Sequence, residues 1–413
     1  ITTYRKKKYL TRIQRLGTYL FFFIIFNGLL PAALRYTLIF NEMKQKQLLL
    51  GFLILLSHFG FSQAQIRKYS NEFLNIGVGA RGLGMSNATT ASTEDVYSGY
   101  YNPAGLANIN NNLQVGLMHT EYFAGIAKYD YGAFAVPFAN KNKVVGFSFF
   151  RFGIDDIPNT LFLIGPDGSI NYNNITSFST ADYAFLFHYA QKFEKVKGLS
   201  IGGSAKIIYR QVGKFAKSTG FGIDLGVQYR RKGLRLGLML RDISTTFNAW
   251  RFTFTDAEKQ VLLNTNNELP KNSLEQTAPM IMLGGGYEIN IKDKVFITPE
   301  VNFQFSTDGK RNVLVPGKPI SMDMSCGLEL SLWKIGYIRG GIGNIQRYYD
   351  ENFKRKTSFA PSVGAGVRVK VIAIDYSLTN LTSLKSGSQD NGLYSHVISL
   401  RLDLNFKKKT KTE

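Results

Sequence analysis

The chain has 413 residues, 14% of them aromatic, with 40 glycines and a formal net charge of +21. Its single cysteine, Cys326, excludes an internal disulfide framework and any multi-cysteine metal centre. Four histidines (His58, His119, His188, His396) stand far apart without ligand spacing, so no metal site is expected.

Residues 1–42 contain an apolar stretch, 17–40, interrupted by Pro31 and Arg35, and are read as an upstream extension without a role. Met43 opens a different pattern. Lys44 and Lys46 form a basic n-region, residues 48–56 an apolar core too short to span a membrane, and Ser62-Gln63-Ala64 a small-x-small cleavage site. Residues 43–64 therefore read as a signal peptide, with the mature chain starting at Gln65. Removing 1–64 leaves the chain strongly basic. An exported basic protein meets anionic lipid, lipopolysaccharide or acidic protein, so nucleic acid is not expected as a partner.

Residues 65–112 fit neither a strand nor a helix of ordinary length. Gly77, Gly79, Gly82 and Gly84 permit tight turns and close approach to neighbouring strands. Asn102-Pro103 reads as a helix N-cap followed by proline at the first helical position, making Asn102-Pro103-Ala104-Gly105 a rigid turn. So long a segment ahead of the first strand implies a function, here a compact hatch or plug inside a barrel lumen. The letters GVGARG, from Gly77 to Gly82, also match the dinucleotide-binding pattern G-x-G-x-x-G. No strand precedes them and no βαβ unit follows, so no cofactor is expected.

From residue 113 to 406 the pattern is two-residue alternation in segments of about ten residues, the signature of a membrane barrel strand. Tyr183, Phe185, Phe187 and Tyr189 share one face, and Asp182, Ala184, Leu186 and His188 the other. Fourteen such strands are expected, near 113–120, 127–138, 143–152, 180–190, 199–211, 218–230, 233–241, 279–289, 294–305, 320–331, 334–343, 358–368, 370–379 and 395–406. Short connections (139–142, 191–198, 231–232, 290–293, 332–333 and residue 369) alternate with others that are mostly long (153–179, 242–278, 306–319, 344–357, 380–394). Short periplasmic turns opposite long outer loops are the expected asymmetry, with both mature chain ends at the short-turn side. The fold class is all-β: a 14-stranded antiparallel transmembrane outer-membrane β-barrel with an N-terminal lumenal hatch, followed by a basic periplasmic tail, 407–413. A soluble sandwich also alternates, but the recurrent strand-end aromatics and the signal peptide argue for the barrel.

On the polar faces, Lys206, Arg210, Asp224, Glu300, Glu329, Arg368, Arg401 and Asp403 are expected to point into the lumen. Loop 242–278 carries Trp250, Arg251, Phe252 and Phe254, a mix common among interface anchors and hence a candidate partner-binding site; the alternative is a strand continued into the outer girdle. No nucleophile stands in a motif with a histidine, so the chain is not read as an enzyme.

Two motifs resemble a known family. GARGLGM, with Gly79, Arg81, Gly82, Gly84 and Met85, and YYNPAGLA, with Asn102, Pro103, Ala104 and Gly105, resemble the N-terminal hatch of FadL-like outer-membrane barrels, most closely the PorV/PorQ branch. Ser86 replaces the last glycine of that family's Gly-Met-Gly run, and Tyr101 replaces the tryptophan of its Trp-Asn-Pro-Ala-Gly motif. The resemblance implies a Gram-negative outer membrane of the Bacteroidota type and a component of type IX secretion that binds secreted proteins or the translocon. The alternative it implies is a FadL-like passive transporter of hydrophobic small molecules. Lumen charges of both signs favour the former, since an acyl chain needs an apolar route.

Overall fold

The computed structural model describes residues 65–66, 69–165, 167–349, 352–380, 384–385 and 394–406. The extension 1–42, the signal peptide 43–64 and the tail 407–413 lie outside the described residues. Among the described residues, fourteen antiparallel strands form the wall: β1 Leu113–Tyr122, β2 Ala127–Phe138, β3 Lys143–Asn159, β4 Thr176–Lys192, β5 Leu199–Val212, β6 Ala216–Arg231, β7 Leu234–Arg241, β8 Met280–Tyr287, β9 Val295–Ser306, β10 Ser321–Leu332, β11 Gly336–Tyr349, β12 Arg355–Val369, β13 Ile372–Asn380 and β14 Tyr394–Leu404. Each pairs with its chain neighbour, and β14 pairs with β1 from Val397↔Thr120 to Leu404↔Leu113, closing the cylinder. Closure leaves no wall strand with an unpaired edge, which a hydrocarbon surrounding requires.

Alternation sets the two faces. Phe187 is 53% exposed on the outside, whereas its neighbours Leu186 and His188, at 3% and 5%, face the lumen. The same division holds for Ile207 against Lys206 and Ile208, and for Leu328 against Glu329. The outer face is thus a band of exposed aliphatic and aromatic side chains, whereas the lumenal face mixes polar and small residues with buried apolar ones, among them Tyr129, Tyr131, Phe150, Leu186 and Ile208, that cluster with the N-terminal segment.

Three features of the outer end depart from the sequence reading. Strands β3–β4 and β11–β12 run past their expected ends, because pairing resumes beyond irregularities at Ile154/Ile157 and Gly343/Gln346. Loops 153–179 and 344–357 are correspondingly shorter. The stretch 242–278, expected as an open loop, is largely wall. After β7 ends at Arg241, residues Thr246–Phe252 continue along β6 and pair with Ala216–Phe221. A capped helix, Asp256–Asn264, follows, and Ser273–Thr277 returns antiparallel to the first arm. The break between β7 and this hairpin is a bulge with Asp242 and Thr245 at φ 55° each. It is held by a buried lysine: Lys206 Nζ lies 2.8 Å from Asp224 and 2.5 Å from Asp242, and the Asp242 amide donates to Asp224 at 2.7 Å.

The third departure concerns the N-terminal side. Gln65–Ile66 pair in parallel with Glu275–Gln276 of the outer hairpin, at the long-loop end. From there the chain descends the lumen, and the Asn112 amide donates to the Leu404 carbonyl where the wall begins. Only the end at β14 lies on the short-turn side. The expectation that both ends lie there is corrected by the direction in which the N-terminal segment threads the barrel.

Candidate functional site

The segment 69–112 is built from single turns: 3-10 turns at Glu72–Asn75 and Pro103–Asn108, and helical turns at Ala80–Gly84 and Ser98–Tyr101. Ala80–Gly84 packs on β11 to β14, and Pro103–Asn108 packs on β3 to β6, so the segment touches opposite walls. Asn102, fully buried in extended conformation, caps its own turn: its Oδ1 accepts from the Ala104 amide at 3.2 Å. Its Nδ2 donates to the carbonyls of Thr90, at 3.1 Å, and of Val227 and Leu238 in the wall, at 3.1 and 3.3 Å. Pro103 and Ala104 are buried beside it. A Cβ on Gly105 would come within 2.5 Å of the Thr93 carbonyl oxygen.

The other motif is seated in the same way. Gly79 has φ 72°, and a Cβ on Gly82 would overlap the Tyr101 ring, whose hydroxyl bonds Asn87 at 2.8 Å. Gly84 lies against Gly364, and Met85 is fully buried against Gly327 and Gly341 of the wall. These wall seats were missed by sequence reasoning. The available signal was glycine at inward positions in mid-strand, where a barrel wall has no other reason to lack a side chain.

Arg81 Nε lies 2.9 Å from Glu329 on β10, which also holds Arg339 at 2.6 Å; Arg339 in turn pairs with Asp375 at 2.6 Å. Burial opposes the charge on Arg81, but Glu329 outweighs it and raises the guanidinium pKa above its ordinary value. Arg401 lies 2.6 Å from Asp95 and 3.2 Å from Asp403, which also pairs with Arg368 at 2.8 Å. Glu300 accepts the Ala91 amide at 2.7 Å, and Arg210 pairs with Asp182 at 2.9 Å. All eight lumen candidates thus have partners, five of them (Glu300, Glu329, Arg368, Arg401 and Asp403) in networks that reach the N-terminal segment. Glu94 joins the set through Arg230 and Arg235. Its side chain is more than half exposed, so burial opposes ionisation little, and the two arginines hold the carboxyl down at about 2.

A carboxyl depressed from 4.5 to about 2 stabilises the fold fully above the higher value and ceases to do so as pH falls through the lower. Melting temperature is therefore expected to fall more steeply between pH 4.5 and 2 for the wild type than for Glu94→Gln. Equal slopes in a detergent thermal melt would refute this role of Glu94.

The lumen is divided by the segment. On the long-loop side lies a cavity of about 870 Å3, floored by Phe73, Leu83, Tyr100 and Tyr101 and bordered by Phe152 and by the charged Glu72, Asp182, Arg210, Arg241, Arg311 and Asp323. Its arginines are engaged: Arg241 donates to Asn75 at 3.1 Å and stands 4.5 Å from the Tyr100 ring, and Arg311 chelates Asp308. On the short-turn side a chamber of about 270 Å3 is lined by Arg81, Glu94, Asp95, Glu329, Arg339 and Arg401. The upper space suits a small apolar or aromatic body, whereas the lower admits one only if ion pairs separate.

Of the outer-rim candidates, Trp250 is half-buried: its Nε1 donates to Glu275 at 2.6 Å, and Arg210 lies 5.1 Å from its ring. Phe252 stacks on Trp250, and Phe254 stacks on Phe215, both half-buried; Arg251 is exposed. His188, read as a wall residue, bridges Ser148 and Ser204 at 2.8 and 2.7 Å. Among the described residues no group of three potential ligands is placed to hold a metal ion.

A closed fourteen-stranded cylinder with an exposed apolar outer band and its charged side chains turned inward decides the architecture. It is an outer-membrane barrel. No protein-family model matches the chain, and no curated protein matches its sequence. Among solved structures it is similar to the Ralstonia pickettii toluene transporter TbuX, at 13% identity and TM-score 0.49, over 80% of this chain and 99% of that one. The Pseudomonas putida toluene transporter TodX gives 12% identity and TM-score 0.47, over 80% and 99%. A Pseudomonas aeruginosa FadL homologue gives 11% and 0.47, over 79% and 98%.

Proposed function

We propose that the chain is a passive conduit of the outer membrane that takes up small, poorly water-soluble molecules through the vestibule at its long-loop end. The observation that carries this reading is the aromatic-floored cavity of about 870 Å3, a size suited to a small ligand. Of the eight lumen charges only Arg210 borders it; the rest are paired within the wall or beneath the segment. Glu72, Asp182, Arg241, Arg311 and Asp323 border it as well, so its apolar surface is the aromatic floor. Segment 69–112 serves as the plug, and transit requires it to shift. Outer-membrane lipid and lipopolysaccharide surround the wall.

A second reading is a component of type IX secretion, in a Bacteroidota-type cell, that binds the translocon or its cargo. It is favoured by the GARGLGM and YYNPAGLA motifs and by Arg251, exposed beside Trp250 and Phe252 on the outer rim.

Titration of the purified barrel with a small aromatic hydrocarbon, followed by tyrosine fluorescence, tests the vestibule. Saturable binding is expected, weakened roughly tenfold or more in Phe152→Glu, because an unpaired charge then borders the apolar space. Absence of binding in the wild type, or unchanged binding in a folded Phe152→Glu variant, would remove the proposal.

A further inference from the structure

The excess positive charge is not spread evenly over the molecule. Each of the six short turns carries an exposed lysine: Lys141, Lys195, Lys232, Lys292, Lys334 and Lys370. The acids within those turns are Glu194, Glu288, which pairs with Arg235, and Asp293. At the opposite end the stretch 242–278 contains five acids and three bases, so the outer rim is close to balanced.

A second observation is independent of charge. The turn lysines are flanked by exposed apolar side chains: Phe193 and Val196 beside Lys195, Trp333 and Ile335 beside Lys334, Val369 and Val371 beside Lys370. Such pairs suit a membrane interface, where the apolar group enters the acyl region and the ammonium stays at the level of the phosphates.

We propose that these turns form a ring that binds anionic phospholipid headgroups in the leaflet they face. The ring follows the whole circumference of a closed wall. A single protein partner covers one sector of such a ring, whereas a lipid leaflet meets all six turns at once. The inference is independent of what crosses the lumen.

The purified full-length barrel is titrated in detergent with phosphatidylglycerol or phosphatidylcholine, and retained lipid is read by native mass spectrometry. The wild type is expected to retain phosphatidylglycerol on the order of tenfold more strongly, as several surface cations act together. The combined variant Lys195→Gln, Lys292→Gln, Lys334→Gln, Lys370→Gln should lose that preference while keeping its heat-resistant electrophoretic mobility, which reports folding. Equal retention of the two lipids by the wild type, or an undiminished preference in the folded variant, would overturn the proposal. So would absence of lipid preference together with an acidic soluble protein that co-purifies with the wild type and not with the variant.

Discussion

Gly341→Val is expected to dislodge the N-terminal segment, whereas Gly340→Val, one residue away, should change almost nothing. A Cβ at Gly341 would fall onto the Met85 carbonyl carbon and within 2.6 Å of the Ser86 nitrogen, both backbone atoms that cannot rotate aside. Gly340 faces outward with nothing within 4 Å of the added atom. Overpacking of this kind costs about 1–3 kcal/mol, and here the strain falls on the contact between the N-terminal segment and the wall. Valine is well suited to a strand, so the cylinder itself should survive. The measurement pairs the temperature at which the folded band is lost on electrophoresis with single-channel conductance in a planar bilayer. Conductance rising in Gly341→Val alone is the expected result; two variants that behave alike would show that the seat does not hold the segment.

Removing the carboxylate in Glu329→Leu should destabilise the barrel by about 3–5 kcal/mol, the usual cost of stripping one partner from a buried ion pair. The loss leaves Arg81 without its acid and Arg339 with Asp375 alone. The double variant Arg81→Leu, Glu329→Leu should recover part of this, because no unpaired charge then remains between segment and wall. Urea unfolding in detergent gives both values. Strict additivity of the single effects would show that the two side chains do not act as a pair.

Much of the fold was legible because one physical rule generates it. A strand wetted by lipid on one side and by a polar lumen on the other must alternate with period two, and all fourteen segments that alternate are wall strands. The hairpin 246–277 escaped notice because its arms are separated from β7 and β8 by the bulge at Asp242–Thr245 and by Ala278-Pro279, which read as loop punctuation. Its continuity with the wall depends on Lys206 and Asp224, residues of other strands, and such contacts are not visible in a linear pattern. The site was legible to a lesser degree. Inward charges could be placed on a face, but not matched: Arg81 finds Glu329 across 248 positions, and Arg401 finds Asp95 across 306. The vestibule was not foreseen at all, since its aromatic floor is assembled from Phe73, Tyr100 and Tyr101 of a segment with no periodicity.

Whether the barrel moves small molecules or serves protein secretion is decided most directly in the cell that makes it. A strain lacking the gene is compared with its parent for uptake of a small radiolabelled aromatic hydrocarbon and for export of proteins bearing a C-terminal signal domain. The transport account predicts uptake reduced severalfold, restored by the wild-type gene and not by Phe152→Glu, with export unchanged. Normal uptake together with retained, unexported cargo would contradict it and establish the secretion reading in its place.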